Sequence, residues 1–375
     1  MLDTTRSSKT RERTSEAPGF GARLAHVQLG RYSGIFILIA IIAIFAAWMP
    51  QSFLTEATFR TILQGQAITA ILAIMLLFPL ATGGFDLSAA QIMGFCALVC
   101  GALITREPRL DPGTAILLVM VLGALIGAVN GLLVTLFKLG SFIATLGTTS
   151  LLVGAAALVG NGEYLGPFPD SFRGLTAGNV FGIPVLTIYL LLIALVFWYI
   201  LEHTPWGRRV YATGANPDAS RLAGIRTDRF IFWSFVISGT GASVAGVLLA
   251  SNLNSVNQSL GPQYLLPAFA AAFLGMTQLK PGRFNIWGTV LAIYLLGTGV
   301  QGLRLAGADL WVTDVFNGLA LIIAVAITVF MQQRRRRREV KAKAAEAEGT
   351  NATSQAKDAT SPATADVTAA EPAKS

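Results

Sequence analysis

The sequence is divided into long apolar blocks, and nothing constrains its fold more. Val185 to Leu201 contains no charged side chain, and blocks of similar length recur along most of the chain. About 20 apolar residues, at 1.5 Å rise each, cross the hydrocarbon layer of a bilayer. In that layer every backbone polar group must be satisfied within the chain, so each block is expected to be a helix. A very greasy soluble core would need polar faces on its helices, and these blocks have none. Charged residues make up 13 % of the chain, whereas a soluble domain carries about 25 %.

Read in this way, the chain is an all-α polytopic membrane protein with about ten transmembrane helices. They are expected near 33–50, 62–81, 86–105, 114–136, 141–159, 184–201, 230–251, 263–279, 285–303 and 310–331. With these spans, 23 of the 28 Lys and Arg residues fall on one side, among them Lys138, Arg208, Arg209, Arg221, Lys280 and Arg283. The positive-inside rule makes that side cytoplasmic and puts both termini there. Residues 1–32 and 332–375 read as disordered cytoplasmic tails, polar and unable to bury a core. The Arg334 to Arg338 run directly follows a span and is expected to meet anionic lipid of the bilayer, with no nucleic acid involved. Ten spans divide into five plus five, and an odd number per half forces the two halves into inverted orientation. The break at Gly83-Gly84 then corresponds to the break at Gly261-Pro262.

Chemistry is sparse inside the blocks. Cys96 and Cys100 have no partner residues that would complete a metal site, so both read as small apolar residues. No phosphate-binding loop, nucleophile elbow or zinc motif occurs. The expectation is a non-enzymatic chain with no catalytic residues, no metal and no cofactor. Ion-coupled carriers need buried ionisable relays, and Asp86 in TGGFDLSAAQ is the exception to their scarcity. Ser88 and Gln91 fit a capping box opening the third span, with Asp86 near the positive end of that helix. Asp86 is therefore a helix cap or a residue of the substrate path.

Other path candidates are the neutral polar residues Asn130, Thr145, Asn252 and Asn254, with Phe142 and Trp233 as aromatic faces; Thr148 and Ser238 belong to the same group. Each has the alternative of bonding a neighbouring helix. A neutral lining leans toward an uncharged solute. Gly123, Gly127 and Gly131, spaced by four, and Gly241 with Gly246 supply small faces for close helix packing.

If transport is active, its energy must come from outside the chain, and the loop 202–229 offers a docking site. Pro205 and Gly207 end the sixth span, and Asn216-Pro217-Asp218 starts a short helix that stops near Gly224. An ordinary basic loop is the alternative reading.

Four segments carry a resemblance: TGGFDLS, FIATLGT (Phe142 to Thr148), TPWGRRVYATGANPDASRLAGI (Thr204 to Ile225) and GPQYLLPAFAAAFLG. In order and spacing they resemble the permease subunits of ribose-, xylose- and galactose-type ATP-binding-cassette importers, from about residue 33 to 331. The resemblance implies a fold similar to that of cobalamin-importer permeases and import of a monosaccharide. It further implies a second permease chain forming a homodimer, cytoplasmic ATPase subunits and a periplasmic substrate-binding protein. Arg208, Arg209, Gly214, Asn216, Ala219, Arg221, Leu222 and Gly224 would then form the surface that couples to the ATPase. The chain departs from the pattern at Leu265-Leu266-Pro267, where sugar permeases usually carry an acidic residue. It departs again at Gly275 to Gln278, at Lys280-Pro281-Gly282 and at Ala89-Ala90. These changes leave the cargo open among sugars, nucleosides, polyols and branched-chain amino acids. An ATP-independent carrier is the more distant alternative.

Overall fold

The computed structural model describes residues 32–309, 311–327, 329–330 and 333; the tails expected at 1–32 and 332–375 lie outside them except for residues 32 and 333. Helices are α1 (Ser33–Trp48), α2 (Pro50–Phe53), α3 (Glu56–Ala81), α4 (Ala89–Thr105), α5 (Pro112–Thr135), α6 (Ser141–Gly160) and α7 (Asp170–Arg173). A small antiparallel hairpin, β1 (Asn179–Val180) and β2 (Ile183–Pro184), precedes α8 (Val185–His203), α9 (Pro205–Ala215), α10 (Pro217–Leu222) and α11 (Thr227–Leu253). A 3₁₀ turn (Pro262–Tyr264) leads into α12 (Leu265–Thr277) and α13 (Ile286–Leu305), followed by α14 (Trp311–Ile327).

Among the described residues, six helices (α3, α5, α6, α8, α11 and α13) are long and apolar enough to cross a membrane. α1, α4 and α14 are apolar but shorter. Burial separates the long helices into two groups. In α3, α11 and α13 the most apolar stretch is 61–72 % buried inside the protein, whereas in α5, α6 and α8 it is 28 % buried. The first group forms the middle of the bundle and the second turns much of its apolar surface outward, as lipid-facing helices do. α3 illustrates the centre, because every residue from Ala67 to Ala81 is buried.

The glycine faces explain how the helices come so close. α5 lies along α11, with Gly123 against Gly239 and Ser243, Gly127 against the backbone of Phe235 and Val236, and Gly131 against Phe232. A Cβ at Gly127 would run into the Phe235 carbonyl. On other sides of α11, Gly241 receives the Met75 side chain of α3 and Gly246 meets the Met93 backbone of α4. Contact at backbone distance replaces the hydrophobic drive that lipid does not provide.

The two predicted breaks both interrupt helices, and they converge on one neighbour. Thr82 Oγ1 and the Gly84 N–H satisfy the Pro79 carbonyl at the end of α3, at 2.9 and 2.8 Å, and Gly83 turns at φ +87°. The chain then opens α4. The second break returns to that same helix, because Gly261 packs on the backbone of Ala90 and Gln91 and leaves no room for a side chain at Gly94. Cys96 and Cys100 are buried and free in α4.

Candidate functional site

In the loop after α8 the short helix expected from Asn216 to Gly224 forms as α10, and a helix that the sequence reading did not anticipate, α9, precedes it. Thr204 caps α9, its hydroxyl accepting from the Gly207 N–H at 3.2 Å. Asn216 caps α10, with Oδ1 accepting from the Ala219 N–H at 3.0 Å, and Pro217 occupies the first turn. Gly224 ends the segment at φ +82°, where an L side chain would be strained. Arg208, Arg209, Ala219, Arg221 and Gly224 are exposed, and Leu222 is 91 % exposed. Arg221 pairs with Asp218 at 3.1 Å and donates to Thr227 Oγ1 at 3.0 Å, bracing α10 against the start of α11. Beside this helix lies a cavity of about 660 Å³ walled by Trp206, Arg209, Gly224, Arg226, Arg229 and Trp233. The path candidate Trp233 therefore shares a cavity with residues of the 202–229 loop.

α9 is anchored inward by its own small residue. Gly214 lies directly on the backbone of Ala81 and Thr82, with Gly83 beyond it, and no side chain fits between them. The loop thus touches the end of α3 and the turn that carries Asp86.

Asp86 is fully buried. Three donors converge on its carboxyl group: the Ser88 N–H at 3.1 Å, the Ser88 hydroxyl at 2.6 Å and the Ser238 hydroxyl of α11 at 2.7 Å. The chain of bonds continues outward. Asn130 of α5 donates to Ser88 Oγ at 2.8 Å, and Thr148 of α6 donates to Asn130 Oδ1 at 2.6 Å. Thr145 accepts from the Leu87 N–H at 3.1 Å, and Ser141 accepts from the Phe85 N–H at 3.0 Å. Asp86, Asn130 and Thr145 thus belong to one network joining α4, α5, α6 and α11. The capping box expected from Ser88 and Gln91 does not form, since Ser88 makes no side-chain cap bond. Its hydroxyl is taken by Asp86 and Asn130, and Asp86 itself binds the Ser88 N–H at the start of α4.

The remaining path candidates lie apart from this network. Asn252 accepts from Gln64 Nε2 at 2.7 Å and so joins α11 to α3. Asn254 closes α11 in the left-handed region and accepts from the Phe168 N–H at 3.1 Å, holding the loop before α7. Phe142 is 56 % exposed on α6.

One cluster escaped the sequence reading. Glu202, whose side chain is 7 % exposed at the end of α8, pairs with Lys280 and lies 4.0 Å from Arg283. The Arg283 guanidinium sits 3.7 Å over the Tyr211 ring, whose hydroxyl donates to the Phe284 carbonyl at 2.7 Å. Burial pushes the Tyr211 phenol up to about 12. A lone acid at the end of an apolar block was the available signal, although its partners lie 78 or more positions away. The described residues hold no group of three His, Cys, Asp or Glu side chains able to bind a metal.

Residues 58–325 match the family model described as the permease component of the branched-chain amino acid transport system. The chain belongs to this permease family. A ribose import permease of Bacillus subtilis (strain 168) is 35 % identical over 300 residues, covering 79 % of this chain and 91 % of that protein. An autoinducer 2 import system permease of Escherichia coli O9:H4 (strain HS) is 34 % identical over 259 residues, 68 % of this chain and 78 % of the relative. A Shigella flexneri autoinducer 2 import system permease matches to the same extent. No solved structure matches the permease. Its apolar helices and its family together make it a multi-pass membrane protein and the permease component of a binding-cassette importer.

Proposed function

We propose that the permease carries a monosaccharide from the periplasm across the inner membrane, driven by separate cytoplasmic ATPase subunits and loaded by a periplasmic binding protein. The ribose permease relative supports the cargo class, and the neutral residues inside the bundle are consistent with an uncharged solute. In this reading residues 33–331 form ten spans in two inverted halves, both termini are cytoplasmic, and two identical chains assemble around the path.

The observation that carries the coupling is the seat of Gly214 on Ala81 and Thr82. ATP-driven movement of α9 and α10 presses at backbone contact on the end of α3. That end leads through Gly83 to Asp86, whose bonds reach three further helices. A buried, fully bonded network has discrete arrangements rather than a continuum of them, so it is suited to a gate. Asp86, Asn130 and Thr145 form this gate. Phe142, Trp233, Asn252 and Asn254 are placed along the path or its supports. Arg209, Arg226 and Arg229 give the adjoining cavity a positive wall for acidic side chains of the ATPase.

The test is uptake of labelled D-ribose, D-xylose and D-galactose into proteoliposomes holding the permease, its ATPase and its binding protein. Uptake of one sugar that needs both ATP and binding protein supports the reading. Uptake persisting without the ATPase refutes it, and uptake of a branched-chain amino acid or autoinducer 2 instead of any sugar corrects the cargo. Arg221→Glu and Gly224→Trp should abolish ATP-dependent uptake. If both leave uptake and assembly intact, α10 is not the coupling element.

A further inference from the structure

A second cavity, of about 290 Å³, lies between α3, the 3₁₀ turn, α13 and α14. It uses residues Thr61 to Thr69 of α3, at the other end of that helix from the Gly214 contact. Its walls carry Gln66, Gln263, Gln301, Arg304, Asp314 and Asn317. Within the described chain, the side chains of Gln66, Gln263, Gln301, Asp314 and Asn317 form no hydrogen bond and no ion pair. Arg304 reaches only Thr313 Oγ1, at a long 3.5 Å.

Four other amides of the bundle are paired, whereas the buried Oε1 of Gln91 in α4 lacks a partner as the cavity amides do. Gln64, Asn130, Asn252 and Asn285 are each bonded to a neighbouring helix, loop or cap. Gln263 is exposed and Gln66, Gln301 and Asn317 are half-buried, so their free amide groups are open to whatever fills the cavity, water or a solute. Four amides around one space supply donors and acceptors together, the complement of a row of hydroxyl groups, each of which also gives and accepts. Arg304 and Asp314 have opposite charges, so the cavity has no net sign. Tyr264 adds an aromatic wall. The volume lies near the lower end of ligand-sized cavities, roughly 300 Å³, which admits a small molecule and excludes a large one. Two glycines shape the space: Gly297 leaves room for the Gln66 side chain, and a Cβ at Gly65 would meet no atom within 4 Å.

We infer that this cavity binds the incoming solute, a neutral polyhydroxylated molecule of monosaccharide size held by Gln66, Gln301 and Asn317. The site rests on the cargo class proposed above. It also explains the placement of α3, whose 26 residues span about 39 Å at 1.5 Å rise each. Solute presses on one end of this rod and the ATPase on the other.

The experiment uses the full complex in proteoliposomes and whichever of D-ribose, D-xylose or D-galactose the wild type carries. Gly65→Phe places a ring in open space and should reduce uptake at least about tenfold with assembly intact. Gln301→Leu and Asn317→Leu should each raise KM about tenfold, the scale for losing one hydrogen bond to a substrate hydroxyl. A second readout does not depend on transport. Asn317→Cys should react with a water-soluble maleimide, and saturating sugar should slow that reaction, while Leu319→Cys on the same helix should label equally with and without sugar. Unchanged KM in all three variants, or Asn317→Cys labelling indifferent to the sugar, overturns the site and leaves the importer reading standing. A wild type that carries none of the three sugars removes the cargo class and this site with it.

Discussion

Asp86→Ala tests the polar network most directly. The substitution removes the acceptor for three donors, and only one of the three bonds, from Ser238, crosses between helices. Interhelical hydrogen bonds in a bilayer average about 0.6 kcal/mol and reach about 1.7 kcal/mol, below the figures for charged groups in soluble proteins. The two Ser88 bonds shape the entry to α4, and losing such a cap costs about 1 kcal/mol. The stranded Ser88 and Ser238 hydroxyls add about 1 kcal/mol more, since each loses its acceptor in a dry interior. The expected loss is therefore about 2–4 kcal/mol. It is measured by equilibrium unfolding of the purified permease in mixed detergent micelles, followed by tryptophan fluorescence. A double-mutant cycle with Ser238→Ala isolates the bond between helices and should give a coupling of about 0.6–1.7 kcal/mol. Destabilisation under about 0.5 kcal/mol, or strictly additive effects in the cycle, would refute the account of Asp86 as the network's hub.

Gly214→Leu should uncouple the machine, because no side chain fits between α9 and the Ala81–Thr82 backbone: ATP hydrolysis should persist while sugar uptake falls at least about tenfold, a barrier change of about 1.4 kcal/mol. Gly127→Leu forces α5 away from the Phe235 carbonyl and should cost about 1–3 kcal/mol by overpacking, read in the same unfolding assay. The Tyr211 phenol rises from its usual 10.0 to about 12 in the folded chain. Between those values the unfolded chain ionises and the folded chain does not, so stability should fall as pH rises from 10 to 12. Tyr211→Phe should flatten that part of the pH profile, and an identical fall in the variant would assign it to another group.

The sequence was most legible where local chemistry decides structure. Asn216, Pro217 and Gly224 each have a conformational or capping preference that acts within a few residues, and α10 begins and ends where they place it. The apolar blocks mark helices for the same reason, since a bilayer tolerates little else. Where Ser88 had a choice of partners, local reasoning failed. A capping box was available within four residues, but Asp86 and Asn130 held the hydroxyl instead.

By itself, then, the sequence determined that this chain crosses a membrane, roughly where its helices begin and end, and to which family of permeases it belongs. Tertiary structure alone decided which face of each helix turns inward. Hydropathy cannot make that choice, because lipid and protein interior are equally welcoming to an apolar side chain. The choice was made by glycines that let backbones touch and by polar side chains that must find partners far along the chain. Asp86 meets Ser238 across 152 positions, while Gln66, Gln301 and Asn317 face a shared space with no bond to one another.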